Sequence, residues 1–230
     1  MPNSLSLNIT QNLTNTLGLA IVRGEYQDAL PSEAEICNEY GVSRSSTREA
    51  VKMLSAKGLI RSRPKQGIRI QPERFWNMFD SEVLKWILVS KPTLGLLREF
   101  LEVRVVVEPQ AAALAATNAS EDDLADLQTA LSRIKDADTG FEDPLEADIA
   151  FHDALFNATG NRFFLQLIDF VSTALRVTIR YSHKVPGIET PSAQTYEDLC
   201  QAIVKRDSVA AENIMRASIE RLMQAVVASQ

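Results

Sequence analysis

The amino-acid sequence predicts a mainly α-helical protein with one small β-hairpin near its N terminus. Apolar residues recur at three- and four-residue steps over most of the 230 residues, as is typical of amphipathic helices. Two short β-type runs, LIRSR and IRIQ, flank the turn PKQG and predict the hairpin. Basic residues concentrate before and within that hairpin, which gives the two parts of the chain opposite charges.

The charge distribution predicts two domains with different partners. The formal net charge is −6, yet residues 43–72 hold eight Lys and Arg against the single acid Glu49, so the rest of the chain is strongly acidic. A basic segment of this kind favours a polyanionic partner. Taken alone, a charge run is more often a solvated helix face, so the interpretation depends on the elements around it.

Two absences in the sequence exclude a membrane partner. No stretch approaches the roughly 20 apolar residues that cross a bilayer. The first 22 residues contain no Lys or Arg and only one short apolar run, which is unlike a signal peptide. We therefore expect a cytoplasmic protein.

Three helices are predicted before the hairpin. The first ends near Gly24. The second begins after Ser32, which with Glu35 has the spacing of a capping box, and it stops at Gly41, a residue type favoured just past a helix end. Ser43 caps the third helix, SRSSTREAVKMLSAKG.

Together, these elements have the layout of a winged helix-turn-helix. In such a module the second helix of the pair enters the DNA major groove, and its N-terminal residues reach base edges. The segment SRSSTREA presents arginines and hydroxyl groups, which can bond guanine edges or phosphates. The hairpin would add charge against the neighbouring DNA backbone or the minor groove through Arg61, Arg63, Lys65 and Arg69.

The segment LPSEAEICNEYGVSRSSTREAVKMLSAKGLIRSRPKQGIRI resembles the winged helix-turn-helix of GntR-family bacterial transcription regulators. The resemblance implies contact with double-stranded operator DNA by residues of the LPSE segment, the recognition helix and the wing tip. These residues are Ser32, Glu33, Arg44, Ser45, Ser46, Arg48, Gln66 and Gly67. Ala34 departs from the pattern, because the family often has a DNA-contacting Arg there, so operator preference should differ from the usual one.

From residue 81 onward the sequence is helical almost throughout, with predicted helices at about 81–90, 93–116, 120–137, 142–159, 161–183, 192–206 and 207–228. Pro109 should kink the second of these or mark a boundary. The region is similar to the all-helical effector domain of FadR-type regulators, on the segments LEVRVVVEPQAAALAA, EADIAFHDALFNATGN and LCQAIVKRDSVAAENIMRASI. We therefore expect a DNA-binding domain at 1–72, a linker at 73–80 and an effector-binding, dimerising helical bundle at 81–230.

Asp148 and His152 are four residues apart on one predicted helix, so both side chains can face one ligand. The resemblance implies a divalent metal such as zinc or nickel at this Asp and His, completed in many members by two more histidines. Tyr196 and Ser218 occupy those two positions here. Because such metals want three or four ligands, Asp148 and His152 alone would form an incomplete site. No cofactor is therefore certain.

Arg104 lies among valines on the segment LEVRVVVEP, where an unpaired guanidinium would be costly to bury. One interpretation is that it binds a ligand carboxylate, while neighbouring polar groups bind ligand hydroxyls. The effector-binding residues would then be Arg104, Asp148, His152, Tyr196 and Ser218. The other interpretation is a structural ion pair with Glu102, Glu108 or Asp148.

The combined expectation is a bacterial transcription regulator, not an enzyme, that represses by binding operator DNA as a homodimer and responds to a small carboxylate. The segments WNMFDSEVLKWIL and EADIAFHDAL most resemble regulators that respond to sugar acids such as galactonate. Two alternatives stay open. One is a metal-dependent hydrolase using Asp148 and His152, although there is no HExxH motif. The other is a protein-interaction module on a DNA anchor, which should close Arg104 and Asp148 into a salt bridge rather than leave them facing a void.

Overall fold

The structure is a computed structural model that describes residues 4–63, 66–91, 93–182 and 190–229. Lys65 of the predicted hairpin and His183, the second of the two histidines of the chain, lie outside these ranges. The chain forms two compact units, Met1–Pro92 and Thr93–Gln230. Among the helices of the described residues, none combines the length and the apolar character that a membrane span requires.

The N-terminal unit contains helices and a three-stranded antiparallel sheet. Its elements are α1 (Ser4–Arg23), β1 (Ala29–Leu30), α2 (Glu33–Tyr40), α3 (Arg44–Ala56), β2 (Ile60–Arg63), β3 (Gly67–Ile70), a 3-10 helix (Glu73–Phe75) and α4 (Ser81–Ser90). The strand order is β1-β3-β2, so the predicted hairpin is confirmed and gains a third strand. Strand β1 was missed because two residues are too few to show a periodic pattern.

The turn between α2 and α3 forms as local sequence chemistry predicts. The Ser32 hydroxyl accepts a hydrogen bond from the Glu35 amide, and the Glu35 carboxylate accepts one from the Ser32 amide, which completes the capping box. Gly41 ends α2 with a φ of 62°, a left-handed conformation that favours glycine. Ser43 then caps α3.

Helix α4, which the sequence assigned to the C-terminal domain, lies in the N-terminal unit and packs against α1. Trp86 on α4 is 3% exposed, and its ring lies where a Cβ on Gly18 would approach it to 2.5 Å. Lys57, just past α3, pairs with Asp80 and Glu82 at 2.7 Å each. The units therefore divide at 92/93 rather than within 73–80. The periodicity of α4 predicts an apolar face but cannot tell which partner covers it.

The C-terminal unit is all-helical over its described residues, as predicted. Its helices are α5 (Leu94–Asn118), α6 (Glu121–Asp138), α7 (Pro144–Asn157), α8 (Arg162–Leu165), α9 (Ile168–Ser182), α10 (Ala193–Val204) and α11 (Ser208–Ala228). The single helix predicted at 161–183 is in fact α8 and α9. The amides of Gln166 and Leu167 bond to carbonyls three residues back, so the chain tightens and α8 ends there.

Helix α5 passes through Pro109 without a boundary and packs along α11. Proline has no N–H to donate to the carbonyl four residues earlier, which here belongs to Val105. Arg216 of α11 donates to that carbonyl instead, at 3.3 Å. Of the two expectations for Pro109, a kink or a boundary, the structure excludes the boundary, and a neighbouring helix supplies the bond that proline removes.

Candidate functional site

The predicted DNA-contact residues of α3 lie at its N terminus. Arg44, Ser45 and Arg48 are exposed. Ser46 is only 7% exposed, and its hydroxyl accepts a hydrogen bond from the hydroxyl of Ser43 at 2.9 Å. The same Ser43 hydroxyl accepts from the Ser46 amide at 3.1 Å. Ser46 is therefore placed to support the cap, whereas the other three side chains are accessible to a ligand.

The two predicted residues from the LPSE segment lie beside this surface. Ser32 uses its hydroxyl in the capping box of α2, where the hydroxyl and the Glu35 carboxylate are 2.7 Å apart. The Glu33 carboxylate lies 3.8 Å from Nε of Arg48. Because the Arg48 side chain is 69% exposed, this ion pair adds little stability, but it can orient Arg48 across the groove between α2 and α3.

The wing presents arginines on one face. In the β2–β3 register Arg61 lies opposite Arg69 and Arg63 lies opposite Gly67. Alternate residues of a strand share a face, so Arg61, Arg63 and Arg69 point to the same side. Like charges directly across a sheet repel each other, and a polyanion would relieve that repulsion. Gln66 and Gly67 at the tip are both exposed.

A buried polar network occupies the C-terminal unit. Its members are Arg104 and Glu108 of α5, Asp148 and His152 of α7, and Tyr196 of α10, and each is at most 5% exposed. Arg104 donates to Glu108 through Nε at 2.5 Å and through Nη2 at 3.1 Å. Tyr196 donates its hydroxyl hydrogen to Oδ1 of Asp148 at 2.5 Å.

His152 joins the two halves of this network. Its Nε2 lies 3.2 Å from Oε2 of Glu108, and its Nδ1 lies 2.9 Å from the main-chain oxygen of Asp148. A carbonyl oxygen and a carboxylate both accept hydrogen bonds, so both ring nitrogens carry hydrogen and the imidazole is cationic. Arg104, His152, Glu108 and Asp148 therefore balance as two positive and two negative charges.

Electrostatics holds the network in this ionised state. Burial alone would raise the pKa of Glu108, but the charges of Arg104 and His152 lower it to about 2. Burial would lower the pKa of His152, but the carboxylates of Glu108 and Asp148 raise it to about 10. Burial and the neighbouring Asp148 carboxylate raise the pKa of Tyr196 well above its ordinary value.

Two small cavities adjoin the network. Arg104, His152, Tyr196 and Ser218 line one of about 20 Å³, and Asp148 and Tyr196 line another of about 30 Å³. A cavity of this size holds one or two water molecules. All five predicted effector-site residues thus lie together, but the space between them is too small for a six-carbon acid.

The residues present do not fit a metal ion in this arrangement. A metal binds the neutral imidazole through a lone pair, and both nitrogens of His152 are engaged as donors. Tyr196, in one of the expected histidine positions, donates to Asp148 instead. Over the described ranges, no group of three or more His, Cys, Asp or Glu side chains could hold a metal ion.

Glu108 is the member of the network that sequence reasoning named only as one of three ion-pair partners for Arg104. Its spacing of four residues from Arg104 is a local signal of an ion pair. The same helix carries Arg98 and Glu102 at the same spacing, and their side chains are about half exposed. Spacing therefore identifies the pair but cannot identify its burial.

The fold and the two sites define a class of protein. A winged helix-turn-helix with an exposed recognition helix, followed by an all-helical unit, is the arrangement of a DNA-binding transcription regulator. Residues 9–70 match the family of bacterial regulatory proteins called gntR, and residues 99–221 match the FCD domain. The chain belongs to the gntR family, in its FCD-containing, FadR-type branch. Its relatives are transcription regulators and not enzymes.

Individual relatives cover nearly the whole chain. The chain is 34% identical over 211 residues to the galactonate operon transcriptional repressor of Escherichia coli, which covers 90% of this chain and 92% of that protein. It is 32% identical over 208 residues to the HTH-type transcriptional regulator YieP of Escherichia coli, at 89% of each chain. The solved structure of Streptococcus agalactiae GntR has a TM-score of 0.52 and 25% identity, covering 94% of this chain and 99% of that one.

Proposed function

We propose that this regulator binds operator DNA as a homodimer in the cytoplasm, represses transcription, and is released from DNA by a small hydroxy-carboxylate of the sugar-acid class. The observation that carries the effector assignment is the buried network around Arg104, where a cation, two carboxylates, an imidazolium and a phenol converge beside small cavities. A guanidinium suits a carboxylate, and the other groups suit hydroxyls.

The similarity to the galactonate operon transcriptional repressor supports both repression and a sugar acid. Direct binding without a metal is favoured because His152 and Tyr196 are engaged with protein carboxylates. The interaction-module alternative required a closed bridge between Arg104 and Asp148. Arg104 pairs with Glu108 instead, which is the structural ion pair that the sequence left as the alternative for Arg104, and the cavities beside Arg104 and Asp148 have room for only one or two waters. The similarity to the galactonate operon transcriptional repressor is therefore the main support for the sensor proposal over the interaction module.

The DNA part of the proposal rests on Arg44, Ser45 and Arg48, which are exposed at the start of the recognition helix. Fluorescence anisotropy with DNA from the promoter region of its own gene tests it. Replacing Arg44 and Arg48 together by alanine should weaken binding about a hundredfold or more, since each base-edge contact is worth ~1–3 kcal/mol. Lys205→Ala, an exposed lysine of the helical unit, is the control and should leave affinity unchanged.

The homodimer is expected because two-fold proteins read palindromic half-sites. Light scattering should give twice the chain mass of 25.5 kDa for the free protein, and that mass plus the mass of the duplex for the complex with a half-site pair. A monomer on DNA would contradict this part of the proposal.

The effector part is tested by thermal unfolding of the full chain with galactonate, other sugar acids and short hydroxy acids, each with and without a chelator. A ligand at about 100 times its Kd stabilises by roughly 2.7 kcal/mol, which moves Tm by a few degrees. A shift that persists in chelator and is absent in Arg104→Met supports direct binding. A shift that chelator abolishes would replace direct binding by a metal-mediated one.

A further inference from the structure

The Glu108 carboxylate accepts two hydrogen bonds from the guanidinium of Arg104, in the geometry that the carboxylate of a ligand would also use. Both Oε atoms are engaged, with Nε and Nη2 of Arg104 as the donors at 2.5 and 3.1 Å. Paired N–H···O bonds of this kind are how arginine recognises carboxylates in general. Two of the five N–H donors of Arg104, on Nε and Nη2, are thus already bonded to the protein.

The Arg104–Glu108 pair is far more buried than the other ion pair with the same four-residue spacing described on α5. The Arg104 side chain is 5% exposed and that of Glu108 is 0% exposed, whereas Arg98 and Glu102, also i and i+4 on α5, are 47% and 54% exposed. A buried ion pair contributes little net stability, because desolvation opposes the attraction. Once Arg104 is buried, however, loss of Glu108 alone would leave an uncompensated buried charge, so the two residues depend on each other.

Charge balance limits what can enter the site. Arg104 and the imidazolium of His152 already match Glu108 and Asp148. A further carboxylate would leave a buried excess of negative charge, which is strongly unfavourable. Removal of the Glu108 carboxylate from Arg104 restores the balance and also frees the volume that a ligand carboxylate needs.

The backbone next to Glu108 is suited to such a movement. Pro109 follows it and removes one helical hydrogen bond, to the main-chain oxygen of Val105, and the side chain of Arg216 supplies that bond instead. A turn that lacks one backbone bond deforms at lower cost than an intact one.

We propose that Glu108 is a built-in substitute for the effector's carboxylate, which holds Arg104 in the ligand-free state and must be displaced when the effector binds. This inference rests on the proposed effector site at Arg104. In this proposal Glu108 holds the position on Arg104 that the effector's carboxylate would take. The affinity for the effector therefore depends on competition with Glu108.

Chemical rescue in the full-length protein tests the geometry. Glu108→Ala leaves a carboxylate-sized space beside Arg104 and should lower Tm. Sodium acetate should then raise the Tm of this variant by a few degrees, while acetamide and sodium chloride at matched concentration should not. Wild type and Glu102→Ala, the exposed pair on the same helix, should respond to acetate no more than to chloride. Equal rescue by acetate and acetamide would overturn the proposal.

Glu108→Gln gives a second, isosteric test that does not depend on the alanine variant folding. Galactonate and the same acid panel are titrated against wild type and Glu108→Gln by calorimetry. Loss of the competing carboxylate should tighten binding about tenfold or more, because Arg104 is then available in a larger fraction of molecules. Equal or weaker binding to Glu108→Gln, with wild-type binding intact and Arg104-dependent, overturns the competition.

Failure of the effector assignment can be distinguished from failure of the Glu108 proposal. If no acid binds wild type or Glu108→Gln, the effector assignment fails, and the acetate rescue still decides whether Glu108 fills a carboxylate site on Arg104.

Discussion

Arg216 on α11 donates a hydrogen bond to the main-chain oxygen of Val105 on α5 at 3.3 Å. Pro109 leaves that oxygen without its helical partner, so one side chain supplies the bond that the helix cannot make. Arg216 also pairs with Glu212 of its own helix at 2.8 Å. The contact joins the two longest helices of the C-terminal unit next to the buried network.

Arg216→Ala should destabilise the C-terminal unit by about 1 kcal/mol, since a part-buried carbonyl loses its donor. In a Pro109→Ala background position 109 regains an N–H for Val105, so the same substitution should cost less. Far-UV circular dichroism during urea unfolding measures both effects as a double-mutant cycle.

Glu212→Ala is the control for this cycle, because it removes the ion pair of Arg216 and keeps the bond to Val105. It should cost less than about 0.5 kcal/mol in either background. Equal costs of Arg216→Ala with and without Pro109 would show that the carbonyl contact contributes nothing.

The wing arginines should act through phosphates rather than base edges. Replacing Arg61 and Arg69, the cross-strand pair of β2 and β3, by alanine should weaken binding to all DNA sequences alike. The slope of log K against log salt should fall by about 2, one for each lost phosphate contact. Anisotropy titrations at several salt concentrations, on operator and unrelated DNA, measure both quantities. A loss confined to operator DNA would contradict the phosphate assignment.

Lys57 should be important for the stability of the N-terminal unit. It is 12% exposed and pairs with Asp80 and Glu82, which lie at the start of α4. Lys57→Met should therefore lower the free energy of unfolding by about 2 kcal/mol, because two charge-assisted bonds are lost. Both tryptophans, Trp76 and Trp86, lie in this unit, so their fluorescence reports its unfolding selectively.

Lys52→Met is the matched control, since Lys52 lies on α3 and pairs with Glu49 but is 64% exposed. It should change stability by less than about 0.5 kcal/mol. A similar effect of both substitutions would mean that burial of the Lys57 pair is unimportant.

Cys200 should resist thiol reagents in the native protein. It is 5% exposed, and burial raises its pKa to about 12, so only about one thiol in 10⁴ is ionised at pH 8. In a Cys37→Ser chain, the reaction of Cys200 with a chromogenic disulfide should be at least a hundredfold slower than in 6 M urea. The reciprocal Cys200→Ser chain measures the less buried Cys37 under the same conditions. Equal native and denatured rates for Cys200 would contradict its burial.

The DNA-binding half was largely predictable because its signals are local. Ser32, Glu35, Gly41 and Ser43 determine two helix ends and the turn between them through contacts within four residues, and each forms as expected. The exposure of Ser46 was less predictable. Its hydroxyl is turned into the N-cap, which the residue type alone does not indicate.

In the C-terminal unit, the sequence predicted most residues of the buried polar network but not which of them pair with each other. The sequence placed Arg104, Asp148, His152 and Tyr196 in one site, and the structure brings them together with Glu108. The sequence named Glu102, Glu108 and Asp148 as possible partners of Arg104, and the four-residue spacing favours Glu108 but does not show that the pair is buried. Glu102 and Glu108 are both acids on the same helix, and which of them is buried depends on α7 and α10, far away in sequence.

The sequence by itself determined most of the helices, their caps and the winged module, because capping, turn geometry and helical periodicity act over a few residues. The residues expected at the polar network came mainly from the family resemblance. Only the tertiary structure decided that α4 packs on α1, that Arg216 supplies the bond that Pro109 removes from α5, and that Glu108 already holds Arg104. Each of these depends on a partner distant in the chain, which covers an apolar face, supplies a missing hydrogen bond or excludes water from an ion pair.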